Sequence, residues 1–207
     1  MFRIIRNKFL VNIFKEHLIG KGYNRECYQH PGHDKLCIKV NLPGTPSSDS
    51  DREKKYYQHL FKKGVSWEMI PQYHGDIETS IGLGSVYDLI LDDDGSVSKT
   101  LENYLDAQHN FDDLLQPFLS LKAYLLQQHI IIMTLHPRNI LCQKNDGYIT
   151  KMIICDDIGN SDFIPICNYS HYLAKLKITR KWQKFEKLLS AKYQIVNFQD
   201  ALSHKNN

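Results

Sequence analysis

Turn punctuation constrains this chain more than any other feature. Over its first ninety residues, short runs rich in β-branched and aromatic side chains are cut by Gly, Pro, Asn and Asp at close intervals. Lys15–Gly20 predicts a strand running into the turn Gly20-Lys21-Gly22-Tyr23-Asn24-Arg25, and Glu26–His30 predicts a second strand. Pro31-Gly32-His33-Asp34 has turn chemistry, and Leu36–Val40 reads as a third strand. Strands joined by turns this tight imply an antiparallel meander. Asn41–Asp49, rich in Pro, Gly and Ser, is a loop. A helix is expected from near Ser50 to about Lys63, with Tyr57, Leu60 and Phe61 on one face. Ile70–Glu78 and Leu83–Leu91 add two strands, giving five strands and one helix before the acidic turn Asp92-Asp93-Asp94-Gly95. That turn suits a domain boundary.

Beyond it the periodicity becomes helical. Thr100 is placed to cap a short helix through Asp106, and Phe118, Leu121 and Leu125 form a helical stripe with Pro117 in its first turn. Ile140–Gln143 and Met152–Cys155 predict a hairpin around Asn145-Asp146-Gly147. Asn168–Ser190 is expected to be helical and basic, and Ser203–Asn207 frayed. The fold class is α+β, and 207 residues suffice for one large domain or two small lobes with a shared core.

A net charge of +3 gives no argument for nucleic-acid binding. The five cysteines, at 27, 37, 142, 155 and 167, include no C-x-x-C pair and read as thiols of a reducing compartment. Arg3, Arg6, Asn7 and Lys8 interrupt the N-terminal apolar residues, so no signal peptide is expected. No run approaches the roughly 20 apolar residues of a membrane span. The expectation is a cytoplasmic protein.

The chemistry concentrates in two polar turns beside apolar strands, Thr134-Leu135-His136-Pro137-Arg138-Asn139-Ile140-Leu141 and Ile154-Cys155-Asp156-Asp157-Ile158-Gly159. Asn139 and Asp157 are oxygen donors of the kind a magnesium ion takes while bound to a phosphate chain. Asp156 is the alternative if the register slips by one. On the third strand, alternation sets Cys37 and Lys39 on one face and Ile38 and Val40 on the other. A lysine on a buried strand needs a charged partner, and Glu53 is the candidate carboxylate. The competing reading makes Ser50 and Glu53 a capping box. Arg25 either contacts phosphate or is a solvated turn residue. Six cations, Lys175, Lys177, Arg180, Lys181, Lys184 and Lys187, spread over the last helix with Glu186 as the one acid among them. A solvated face is the default; an acidic partner or a membrane surface is the alternative.

Together these residues resemble the protein-kinase-like superfamily. The spacing of the two polar turns is that of a kinase catalytic loop followed by D-F-G. The closer resemblance is to the YrbL family of PhoP-regulatory-network proteins, small bacterial chains with this order of pieces. It covers about Leu18 to Pro165 and rests on Ile19-Gly20-Lys21-Gly22 with Arg25, Cys37-Ile38-Lys39-Val40, Arg52-Glu53 with Tyr56-Tyr57, Val86-Tyr87-Asp88, Met133-Thr134-Leu135 with Pro137, Asn139-Ile140-Leu141-Cys142, and Cys155 to Gly159.

The resemblance implies a two-lobed kinase-like fold. Residues 1–91 would form a five-stranded antiparallel N-lobe with one helix, and 92–207 a truncated helical C-lobe. ATP would lie between them, with Gly20, Gly22, Arg25, Cys37, Lys39, Glu53 and Asp88 around the nucleotide. Lys39 would hold the α- and β-phosphates, Glu53 would orient Lys39, and Asn139 and Asp157 would hold magnesium. Thr134 falls where the catalytic Asp belongs, and a neutral hydroxyl cannot act as that carboxylate does. His136 could substitute as a base, or could simply hydrogen-bond nearby backbone. Arg25 stands at the third glycine, and only about fifty residues follow Asp157. The resemblance therefore implies a nucleotide-binding regulatory module of pseudokinase type, with a protein partner as a further possibility. An atypical phosphotransferase and a scaffold that binds no nucleotide are the alternatives.

Overall fold

The computed structural model describes residues 10–162 and 165–195. Strands β1 (Leu18–Lys21), β2 (Arg25–Gln29), β3 (Leu36–Asn41), β4 (Tyr73–Thr79) and β5 (Gly82–Asp88) form one antiparallel sheet in the order β1-β2-β3-β5-β4. Helix α1 (Ser48–Lys63) lies between β3 and β4 in sequence. Alternation along β3 sorts the two faces as the pattern requires. Ile38 and Val40 join Ile13, Tyr28 and Val86 in a small cluster, whereas Cys37 and Tyr87 enter the main core with α1.

Gly84 of β5 shows how tightly the small cluster is built. A Cβ there would collide with Cγ2 of Ile38, which is fully buried, and would come within 3.2 Å of Thr79 Cγ2. Gly84→Ala should therefore cost about 1–3 kcal/mol, seen as a melting temperature several degrees lower at about 2–4 °C per kcal/mol.

Three local expectations are corrected. Lys15–His17 is a 3-10 turn, and β1 begins only at Leu18. Helix α1 begins before Ser50, whose hydroxyl donates to the Ser47 carbonyl, so the Ser50–Glu53 capping box does not form. Its buried stripe is Ser50, Glu53, Tyr56, Tyr57 and Leu60, while Phe61 is 48% exposed. The helical repeat passes one residue to the other side of the expected face.

The second part of the fold holds β6 (Lys99–Thr100), α2 (Leu101–Asp106), α3 (Asp112–Gln128), β7 (Ile140–Asn145), β8 (Tyr148–Ile154) and α4 (His171–Tyr193). Thr100 caps α2 through a reciprocal box with Asn103. Helix α3 starts earlier than expected, which places Pro117 beyond its first turn. The β7–β8 hairpin turns through Asp146 and Gly147 at φ 51° and 80°, a pairing of positive angles that Asp-Gly accommodates. Strands β6, β7 and β8 make a three-stranded sheet. Tyr57 and Leu60 of α1 belong to the same apolar cluster as Phe118 of α3 and Trp182 of α4, so the main core is continuous across residues 92–95. Ser203–Asn207 lie outside the described residues. Among those described, no helix is long and apolar enough to cross a membrane.

Candidate functional site

Four elements meet at a cleft of about 400 Å³. One wall is the turn from Gly22 to Arg25 with the first half of α1; the other includes Thr134, His136, Asn139, Asp156 and Asp157. Two loops of that second wall are laced together. A 3-10 turn, Pro137–Asn139, leads into β7, and the Asn139 carbonyl accepts from Cys155 N at 2.9 Å. The Asn139 side-chain amide donates to Asp157 Oδ2 at 3.1 Å, across 18 residues of sequence. Asp157 has left-handed backbone, φ 60°, and its carbonyl accepts from Met133 N at 2.6 Å. Asp tolerates that conformation because its short polar chain bonds locally.

The charges are distributed differently from the expectation. Arg25 Nη1 meets Glu53 Oε2 at 2.6 Å, and its Nη2 forms a close ion pair with Asp156 Oδ1. Lys39 Nζ instead donates to the Cys155 carbonyl at 2.5 Å and lies 3.5 Å from Asp156 Oδ1. The expected Lys39–Glu53 pair is therefore replaced by Arg25–Glu53. A planar guanidinium can span two carboxylates, whereas the single ammonium of Lys39 is drawn to the carbonyl that follows β8 and rests 4.8 Å above the Tyr87 ring. Burial lowers the Arg25 pKa, but Glu53, through charge and hydrogen bond, together with Tyr87 and Asp157, outweighs it and holds the group above its ordinary range.

Glu53 is 1% exposed, and its Oε1 has no hydrogen-bond partner among the described residues. Burial, and then the Glu53 charge, push the Asp157 carboxyl above its ordinary value, with Arg25 and Lys39 opposing. Asp157 makes no ion pair among the described residues.

The remaining predicted site residues divide. Thr134 is exposed at the cleft wall. His136 Nδ1 accepts from Arg138 N at 3.3 Å and Arg138 Nε at 3.1 Å, capping the 3-10 turn. Its proton is thereby assigned to Nε2, which suits a donor and not a base. Burial and then Arg138 also lower its pKa. Gly22 lines the cleft, but Gly20, Cys37, Lys39 and Asp88 do not. A Cβ on Gly20 would meet nothing within 4 Å. Asp88 is engaged at the β4–β5 junction, accepting from Gln72 N at 2.8 Å and facing His74 Nε2 at 2.6 Å. Lys39 meets the cleft lining at Asp156.

Two side chains make contacts that the sequence does not show. Asp156, an alternative there, takes both cations; the signal was its place in an acidic doublet. Lys177, expected on a solvated face, is buried and holds the segment after Asp157 to α4, with Nζ 2.5 Å from Asn160 Oδ1 and 2.6 Å from Asp162 Oδ1.

The thiols beside Lys39 make a further feature. A hydrogen bond from Cys37 brings the Cys27 thiol down to about 7 against burial, with Lys39 and Arg25 assisting, while Cys37 itself is raised. Iodoacetamide should modify Cys27 before Cys37, with a rate that rises through pH 7 as the thiolate forms. Peptide mass mapping across pH 6–8 checks this; equal labelling of both thiols would contradict it.

The family described as PhoP regulatory network protein YrbL matches residues 11–190. The chain belongs to the YrbL family. It is 35% identical over 181 residues to YrbL of Escherichia coli (strain K12), covering 85% of this chain and 86% of the relative. YrbL of Shigella flexneri matches with the same identity and coverage. The cleft and the ion-pair network both fall within the matched span of this YrbL-family chain.

Proposed function

We propose that this YrbL-family protein is a kinase-like module that binds ATP with magnesium and serves regulation. In this reading residues 1–91 and 92–207 act as two lobes around the nucleotide. The observation that carries it is the meeting of Asn139 and Asp157 on one wall of a cleft, 3.1 Å apart. Their oxygens suit a hard cation, and Asp157 is a half-buried carboxylate with no ion pair among the described residues, a setting that a divalent ion would relieve. Bound magnesium would neutralise charge on the phosphates. Arg25 and Lys39 supply positive charge beside the same wall, and Glu53 positions Arg25. Thr134 offers a hydroxyl with no charge near neutral pH, so neither it nor the Nε2–H of His136 draws a proton from an acceptor. Binding without efficient transfer follows.

A second reading draws on the ion pairs. Glu53 is taken by Arg25, and Lys39 by the Cys155 carbonyl. The cations are thus already engaged within the protein, which favours an interaction scaffold that binds no nucleotide.

Thermal melts separate the two. Magnesium-ATP at about a hundred times its dissociation constant adds about 2.7 kcal/mol, a rise of several degrees at about 2–4 °C per kcal/mol. No rise at millimolar ATP would leave the scaffold. Transfer of labelled γ-phosphate that needs Asp157 would make the protein an atypical phosphotransferase instead.

A further inference from the structure

Met133 and Thr134 also line a second cavity, of about 720 Å³, otherwise walled by Leu135 and α4. Its rim is cationic. Arg180, Lys184 and Lys187 are exposed, and none makes an ion pair among the described residues. Lys181 donates to the Met133 carbonyl, tying α4 to the segment before Thr134. Glu186, the one acid on α4, is drawn to α3 by Lys122 at 3.0 Å and offsets nothing in the groove. The lining between these cations is apolar, with Leu135, Phe185 and Leu188.

The spacing of the cations selects the occupant. Arg180, Lys184 and Lys187 recur at four and three residues, so they share a face and span about 10 Å along the helix. A single phosphate or carboxylate pairs with cations only within about 4 Å. An extended chain covers about 10 Å in three residues and sends alternate side chains to one side. We propose that this groove is the docking site for an extended acidic segment of a partner protein, its carboxylates along Arg180, Lys184 and Lys187 and an apolar side chain on Leu135 and Leu188. The proposal goes beyond nucleotide binding and stands without it. Because Thr134 borders both cavities, a docked segment sits beside the cleft.

The test is fluorescence anisotropy with a short labelled peptide that alternates glutamate with leucine, beside the same peptide with lysine for glutamate. The acidic peptide binds the parent and weakens with salt; the lysine peptide does not bind. Lys184→Glu weakens binding about fivefold, and Lys187→Gln weakens it in the same sense if Lys184→Glu melts early. Lys175→Glu, an equal charge change on α4 outside the groove, leaves affinity unchanged. Equal losses from Lys175→Glu and Lys184→Glu would overturn the proposal, reducing it to diffuse attraction. So would failure of the acidic peptide to bind while pyrophosphate, or phosphatidylglycerol vesicles, bind through Lys184. A small anion or a lipid surface would then be the occupant.

Discussion

Arg25→Ala lowers the melting temperature by roughly 10 °C. Among the described residues Arg25, on β2, is the one side chain that touches both Glu53 of α1 and Asp156 beyond β8. Its removal leaves Glu53, 1% exposed and already short of a partner at Oε1, as a buried carboxylate without its cation. Breaking one side of such a pair costs about 3–5 kcal/mol, and a domain of this size loses about 2–4 °C per kcal/mol. Glu53→Gln in the same background recovers part of the loss, because the stranded charge goes with it. Chemical and thermal denaturation of the two single variants and the double variant measure the coupling. A loss under about 1 kcal/mol would mean that Lys39 leaves the Cys155 carbonyl for Glu53, the pairing that the strand pattern by itself suggested.

Asp157→Asn separates stability from ligand binding. Asparagine keeps the left-handed backbone at φ 60° and the contact with Asn139, but carries no charge. Burial and the Glu53 charge raise the Asp157 carboxyl, so its ionised form is disfavoured by the fold. Its contribution to stability is therefore lost as pH rises from the ordinary carboxylate range through the raised value. The variant melts higher than the parent at neutral pH, by about 0.5–2 kcal/mol as for other relieved functional sites, and the gap closes as pH falls toward that range. On the proposed reading, magnesium-ATP at about a hundred times its dissociation constant adds about 2.7 kcal/mol to the parent and nothing to the variant. Melts at pH 4–8 with and without magnesium-ATP test both halves. A variant that melts lower at pH 7, or still gains from magnesium-ATP, removes Asp157 from the metal role.

Much of the secondary structure was legible because it is encoded locally. The Asp146-Gly147 hairpin, the Thr100 cap and the alternation of Cys37, Ile38, Lys39 and Val40 each depend on neighbours a few residues away. Boundaries drifted where a local signal was shared by two structures. The polar residues Lys15, Glu16 and His17 before β1 form a 3-10 turn instead of extending the strand, and Ser50 fits a capping position that the helix had already passed. The site was legible in its residue types and less so in its pairings. Asn139 and Asp157 meet, as their separate turns suggested. Glu53 and Lys39 do not pair, because Arg25 outreaches Lys39 and Asp156 gathers both cations.

By itself the sequence determined the antiparallel five-stranded sheet, the one helix inserted between its strands, the hairpin and the two polar turns, since propensity, period and turn chemistry act over short range. Tertiary structure alone decided which cation faces which carboxylate, that Lys177 is buried against Asn160 and Asp162, and that Arg180, Lys184 and Lys187 border a groove beside Thr134. Arg25 and Lys39 reach Asp156 across more than a hundred positions of sequence, and no one-dimensional pattern carries separations of a few ångströms.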